Sequence, residues 1–231
     1  MNMGSIRVAV VVKTFPEMVS RLEVKRTSRE ALLEVVDAVV AARADSTDYD
    51  PYGTPGWRGW QMGTRRCREM HVGLDGWVKD DADQVPSIVN REIGLRIIVC
   101  NTDDGTCVDD PSRSGPQNRS KKGAATDRAV SGNQGSFLDI LEASVSENVV
   151  AIASKRKSPP PIVTYYLCVF ADGDDIRAEL SCPSSVNSGY FEHFSERIFI
   201  LGGEAEPPLP VRRKKDDNDD GSDYPITVKR K

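Results

Sequence analysis

The stretch IVTYYLCVFADGDDIRAELS, Ile162 to Ser181, decides the fold. Two strand-like runs, Ile162–Ala171 and Asp174–Ser181, flank Asp172-Gly173, a two-residue hairpin signal. With the turn centred there, Val169 faces Ile176, Leu167 faces Ala178 and Tyr165 faces Leu180. That face is wholly apolar. On the other face Phe170 meets Asp175, Cys168 meets Arg177 and Tyr166 meets Glu179. A half-polar face is either solvated or turned toward a site, and an exposed Arg177–Glu179 surface is the simpler expectation.

Working outward, Leu95–Cys100 and Ile6–Val12 are continuous β-branched or apolar runs and read as buried strands. Ser28–Arg43 carries Leu32, Val35, Val36, Val39 and Val40 at helical spacing, with Glu30, Glu34 and Asp37 on the other side. Its apolar stripe needs a sheet to cover. Ser136–Val145 and Tyr190–Arg197 read as short helices, and Ile198–Leu201 as a last strand. From Ala44 to Gly63, clustered Asp, Pro and Gly predict a long loop in place of a helix or strand. Tyr49, Tyr52, Trp57 and Trp60 lie in that loop, so it is either pinned down by its rings or used for contact.

These readings predict an α+β (or α/β) fold: a mixed sheet of about five strands, one long and several short flanking helices, and long loops. Residues 1–203 form the expected domain. Ser154–Pro161 reads as a stiff basic connector. Residues 204–231 alternate blocks of basic and acidic charge that cannot bury enough apolar surface to order themselves, and read as a tail suited to a protein partner.

Composition narrows the classes. The 231 residues are 39% hydrophobic and 29% charged, with a formal charge of −4. The total argues against a uniformly basic nucleic-acid binder and leaves room for a local basic patch. The five cysteines form no C-x-x-C pair, which points to reduced thiols and a cytoplasmic location. No run approaches the roughly 20 apolar residues of a membrane span.

Several constellations carry chemistry. Asp103 and Asp104 follow the strand Leu95–Cys100, and sites in open α/β sheets gather at that end. Such carboxylates suit Mg²⁺, with Glu179 as a third acid if the strands neighbour each other; Asp172, Asp174, Asp175 and Arg177 lie close by. The alternative for Asp103-Asp104-Gly105 is a plain turn. Arg119, Lys121, Lys122 and Arg128 form a basic loop before a helix, where anions bind well. It lacks the P-loop spacing. Trp57 and Trp60, followed by Arg65, Arg66 and Arg68, offer rings to stack on bases and guanidiniums to meet phosphates. Rings and arginines also stack on one another inside proteins.

Glu23-Val24-Lys25 after Pro16-Glu17 resembles the PD-(D/E)-x-K nuclease pattern over a very short spacing; as plain sequence, Glu23 and Lys25 are exposed charges before a helix. His71 and His193, the two histidines, lack the neighbours of a nucleophilic triad. No Gly-rich dinucleotide fingerprint follows the first strand. The leading expectation is DNA or RNA binding through the basic loop and the aromatic/arginine segment. A Mg²⁺-dependent phosphodiesterase or nuclease using Asp103, Asp104 and Glu179 is one alternative, and a non-catalytic subunit of a larger assembly is the other.

Overall fold

The computed structural model describes residues 9–110, 112–113, 115–133 and 161–202. The expected helix at 136–145, most of the connector and the tail at 204–231 lie outside them, as do residues 6–8 of the first expected strand.

In chain order the elements are β1 (Val10–Val12), α1 (Phe15–Val24), α2 (Arg29–Ala44), α3 (Thr54–His71), β2 (Trp77–Asp80), β3 (Ser87–Asn90) and β4 (Leu95–Asn101). A helix over residues 124–133, here α4, follows. Then come β5 (Val163–Asp172), β6 (Asp175–Asn187) and β7 (Tyr190–Leu201). The strands form one mixed sheet in the order β1-β7-β6-β5-β4-β3-β2. β1 runs parallel to β7 and β4 parallel to β5; the other neighbours are antiparallel. The class is therefore α+β, with seven strands where about five were expected. β2 and β3 have four residues each, too few to show a period.

The hairpin closes two residues away from the predicted register. Asp172 pairs with Asp175, so Gly173-Asp174 is the loop, and Gly173 takes φ +57° at the position where a II′ turn places glycine. Leu167 therefore faces Leu180, and Val169 faces Ala178. A shift of two preserves which side chain points to which face, so the division into an apolar and a half-polar face stands.

The apolar face carries Tyr165, Leu167, Val169, Ala178, Leu180 and Ile198, covered by Met18 and Leu22 of α1, Leu32, Val35, Val36 and Val39 of α2, and Cys67 of α3. Each fully buried Val or Leu contributes about 1.5–3 kcal/mol. Ser28 caps α2, its hydroxyl accepting from Ala31 N at 3.2 Å. Lys25 is buried, against the expectation of an exposed charge. Its Nζ lies 2.9 Å from Glu196, which also accepts from the Tyr165 hydroxyl at 2.6 Å. Glu23 is exposed.

Two further expectations fail. The segment expected to be a loop up to Gly63 is helical from Thr54. Pro55 occupies the first turn, where its missing N–H costs nothing, and Gly53 precedes it at φ +87°. Gly59 and Gly63 let α3 approach α2: a Cβ on Gly63 would lie 2.4 Å from Val39 Cγ2. Tyr190–Arg197 is the first part of β7, not a helix. Phe191 and Phe194 stand three apart, which mimics a helix face. Irregular pairing between β6 and β7 brings both rings into one cluster with Tyr166, Cys168 and Val130.

None of the described helices is long and apolar enough to cross a membrane. All five cysteines are free and buried.

Candidate functional site

The half-polar sheet face is covered, not exposed. The loop after β4 folds back onto it, led by Asp103, whose Oδ1 accepts from Gly105 N at 3.1 Å and Gln117 N at 2.9 Å. Glu179 beneath that loop is completely buried. It takes a two-pronged contact from Arg197 at 2.8 and 2.7 Å, a bond from the Ser181 hydroxyl at 2.5 Å and one from Cys107 N at 2.6 Å. Arg197 also donates to Val108 O at 2.9 Å. Arg177 donates to Asp104 O at 2.8 Å and Thr106 O at 3.0 Å, and pairs with Asp175. Burial, reinforced by the Glu179 charge, pushes the Cys107 thiol well up, which makes it a poor nucleophile.

This knot bears on the metal candidates. Both Glu179 oxygens are engaged by protein donors. Asp103 is tied to its own loop, and Asp104 lies 3.3 Å from Arg113. Among the described residues no group of three or more His, Cys, Asp or Glu is placed to hold a metal ion. The Mg²⁺ reading thus draws no support from the arrangement of Asp103, Asp104 and Glu179.

The cations separate into two sets. Arg65 pairs with Glu69 at 2.8 Å, Arg66 with Glu34 at 2.5 Å, Arg68 with Asp81 at 2.5 Å and Arg128 with Asp83 at 2.9 Å. Each of these four is paired with an acid, and none lines the cleft that holds the rings. Trp57, Trp60, Arg119 and Lys122 do converge. They line a cleft of about 920 Å³ at the carboxyl end of β4, together with Arg43, Tyr52, Asn101, Asp48 and Asp50. Lys121 is exposed beside it.

Each wall has a local cause. Arg43 ends α2 and donates to Ala171 O at 3.0 Å, at the end of β5. Trp57 and Trp60 stand on the first two turns of α3, and Trp57 is 58% exposed. Asn101 ends β4 and donates to Gly56 O at 2.7 Å; its Oδ1 is buried without a hydrogen-bond partner. Arg119 is set by its N–H on Asn101 O and its Nε on Thr102 O at 3.1 Å, with the guanidinium 5.7 Å from the Phe170 ring centre. Lys122 N donates to Gly189 O, and buried Asn118 stitches the same loop to Gly189 and Phe191. Asn118 therefore holds the cations in place rather than facing a ligand.

No carboxylate among the described residues lies within ion-pair distance of Arg43, Arg119 or Lys122. Burial and then the adjacent Arg119 charge lower the pKa of Arg43, with Asp172 opposing in part. Tyr52 lines the cleft fully exposed. Chemically, the cleft presents three cations, none within ion-pair distance of an acid, beside three rings whose faces or edges meet solvent, with Asp48 and Asp50 in the same wall.

Arg43 gave no sequence signal as a site residue, Asn101 was read only as a strand end, and Tyr52 was noted among the loop aromatics without being placed in a site. Arg43 closes an ordinary amphipathic helix, and its proximity to Arg119 is set by the sheet. No family model, curated protein or solved structure matches this chain.

Proposed function

We propose that the protein binds single-stranded nucleic acid in the cleft at the end of β4. The observation that carries this reading is the contrast among the cations: Arg65, Arg66, Arg68 and Arg128 have acids, whereas Arg43, Arg119 and Lys122 have none and stand together with Tyr52, Trp57 and Trp60. Arginines without counter-ions suit phosphate oxygens, which they meet as planar forks. Rings in a concave wall suit splayed bases, because every base has a π-face; a duplex keeps those faces stacked. The reading is narrower than the one drawn from sequence, since the α3 arginines beyond Trp60 and Arg128 take no part.

The test is fluorescence anisotropy with labelled single-stranded DNA and RNA at low salt. Stacking on a ring contributes about 1–3 kcal/mol per base, so Trp57→Ala weakens binding by roughly tenfold. Arg119→Glu weakens it further, and Arg65→Ala leaves it unchanged. Absence of binding to either nucleic acid, or wild-type affinity in Trp57→Ala and Arg119→Glu, overturns the proposal.

A further inference from the structure

The two cleft arginines narrow the ligand. We infer that the cleft recognises a nucleoside carrying a terminal phosphate monoester, at the end of a strand or free, in preference to internal nucleotides. The inference rests on the nucleic-acid reading and deepens it.

Three observations carry it. First, three cations meet on one floor, with the acids Asp48 and Asp50 on the wall that carries Tyr52. Arg43, Arg119 and Lys122 line the same cleft, the Arg119 charge acts on Arg43, and none of the three lies within ion-pair distance of a carboxylate among the described residues. An internal phosphodiester offers one charge and two free oxygens. A monoester offers about −1.5 to −2 charges at neutral pH and three acceptor oxygens. Two guanidinium forks can share those three oxygens.

Second, both forks are anchored at the same end of the sheet. Arg43 is anchored on Ala171 O and Arg119 on Thr102 O, both at the carboxyl ends of the parallel neighbours β4 and β5. The pair cannot splay apart without breaking those bonds, so an anion of higher charge gains more by bridging them.

Third, the cleft has the volume of a small-ligand site and acids in its wall. Its volume of about 920 Å³ sits within the range of about 300–1,000 Å³ common for single small ligands. Grooves that follow a strand cover about 4–16 nucleotides. The loop that carries Tyr52 also brings Asp48 and Asp50 into the wall. A backbone running on past the rings would meet those carboxylates.

The experiment is competition against a fluorescent 5′-phosphorylated oligonucleotide bound to the full chain. The competitors are the same oligonucleotide with a 5′-phosphate, with a 3′-phosphate or with no phosphate, a single-stranded circle of the same composition, and nucleoside monophosphates. We expect one of the phosphorylated ends to compete at least tenfold better than the unphosphorylated strand and the circle. The monophosphates separate the sources: equal strength per molecule assigns a free nucleotide, and weaker competition assigns the strand end. Arg119→Lys keeps the charge, loses the fork, and abolishes the preference for the phosphorylated end. A circle that competes as well as the phosphorylated strand overturns the inference while leaving strand binding intact. If the probe does not bind at all, the underlying reading falls with it.

Discussion

Arg197 and Arg119 lie on the same side of the sheet, and each sits near phenylalanine rings. Arg197 is 5.3 Å from the centre of Phe199, and Arg119 is 5.7 Å from that of Phe170. Their partners differ completely. Arg197 is buried and held at both ends by Glu179, which is itself fully buried. Arg119 is exposed and has Arg43 beside it in place of an acid. A charge taken out of water needs a counter-charge and hydrogen bonds, because desolvation costs more than an unpaired ion can recover. A charge left wet has no such need. Arg197 is therefore structure, whereas Arg119 stays exposed with no acid within ion-pair distance.

The largest expected effect comes from breaking the buried pair. Glu179→Gln strands the Arg197 charge and should cost about 3–5 kcal/mol, read by urea denaturation. Wild-type stability in that variant would show that Glu179 is not structural and would reopen its candidacy as a catalytic acid. The double variant Glu179→Leu with Arg197→Met sharpens the point. Replacing both ions by apolar side chains should recover most of the loss, as the difference between single and double unfolding curves would reveal.

At the other arginine the effects reverse. Arg119→Glu should cost no more than about 1 kcal/mol in stability, since the lost bond to Thr102 O is offset by attraction toward Arg43 in place of repulsion. The same variant should lose at least tenfold in affinity for single-stranded nucleic acid, about 1.4 kcal/mol. A large stability loss without a binding loss would place Arg119 with Arg197.

The smallest effect concerns a buried group that avoids charge altogether. His71 donates from Nδ1 to Cys67 O at 2.9 Å and accepts at Nε2 from the Thr27 hydroxyl at 2.7 Å. Burial lowers its pKa, against the opposing bond to Cys67 O. Below the unfolded value of about 6.5 the unfolded chain binds the proton that the folded one refuses. Stability therefore falls as pH drops below that value, by at most about 1.4 kcal/mol per unit for one proton. The fall ends below the folded pKa. Denaturation midpoints across pH 5 to 7.5 would show it, and His71→Gln should flatten this component of the profile.

The β5–β6 hairpin and α2 were legible because their apolar spacing matches a single period over ten or more residues. The α3 helix was hidden by its glycines. Gly59 and Gly63 read as turn residues, yet they mark where a helix comes closest to its neighbours. The small residues at helical spacing, Gly59, Gly63 or Thr64, and Cys67, were the available clue. At the cleft, Trp57, Trp60, Arg119 and Lys122 were anticipated, and Arg65, Arg66, Arg68 and Arg128 were grouped with them from proximity in sequence. Their separation depends on acids that come from α2, from the segment after β2 and from the helix's own next turn. No linear reading places those acids.

The most direct measurement is the salt dependence of affinity for a phosphorylated single strand. Binding through Arg43, Arg119 and Lys122 alone predicts a slope of log K against log[salt] between about −0.7, if the cations share one terminal phosphate, and about −2, if each meets its own, since each neutralised phosphate on a single strand contributes about −0.7. A slope near zero would contradict a phosphate-binding cleft. A slope of about −5 or steeper would mean that the paired arginines of α3 and Arg128 open to the ligand, and the separation between structural and available cations would fail.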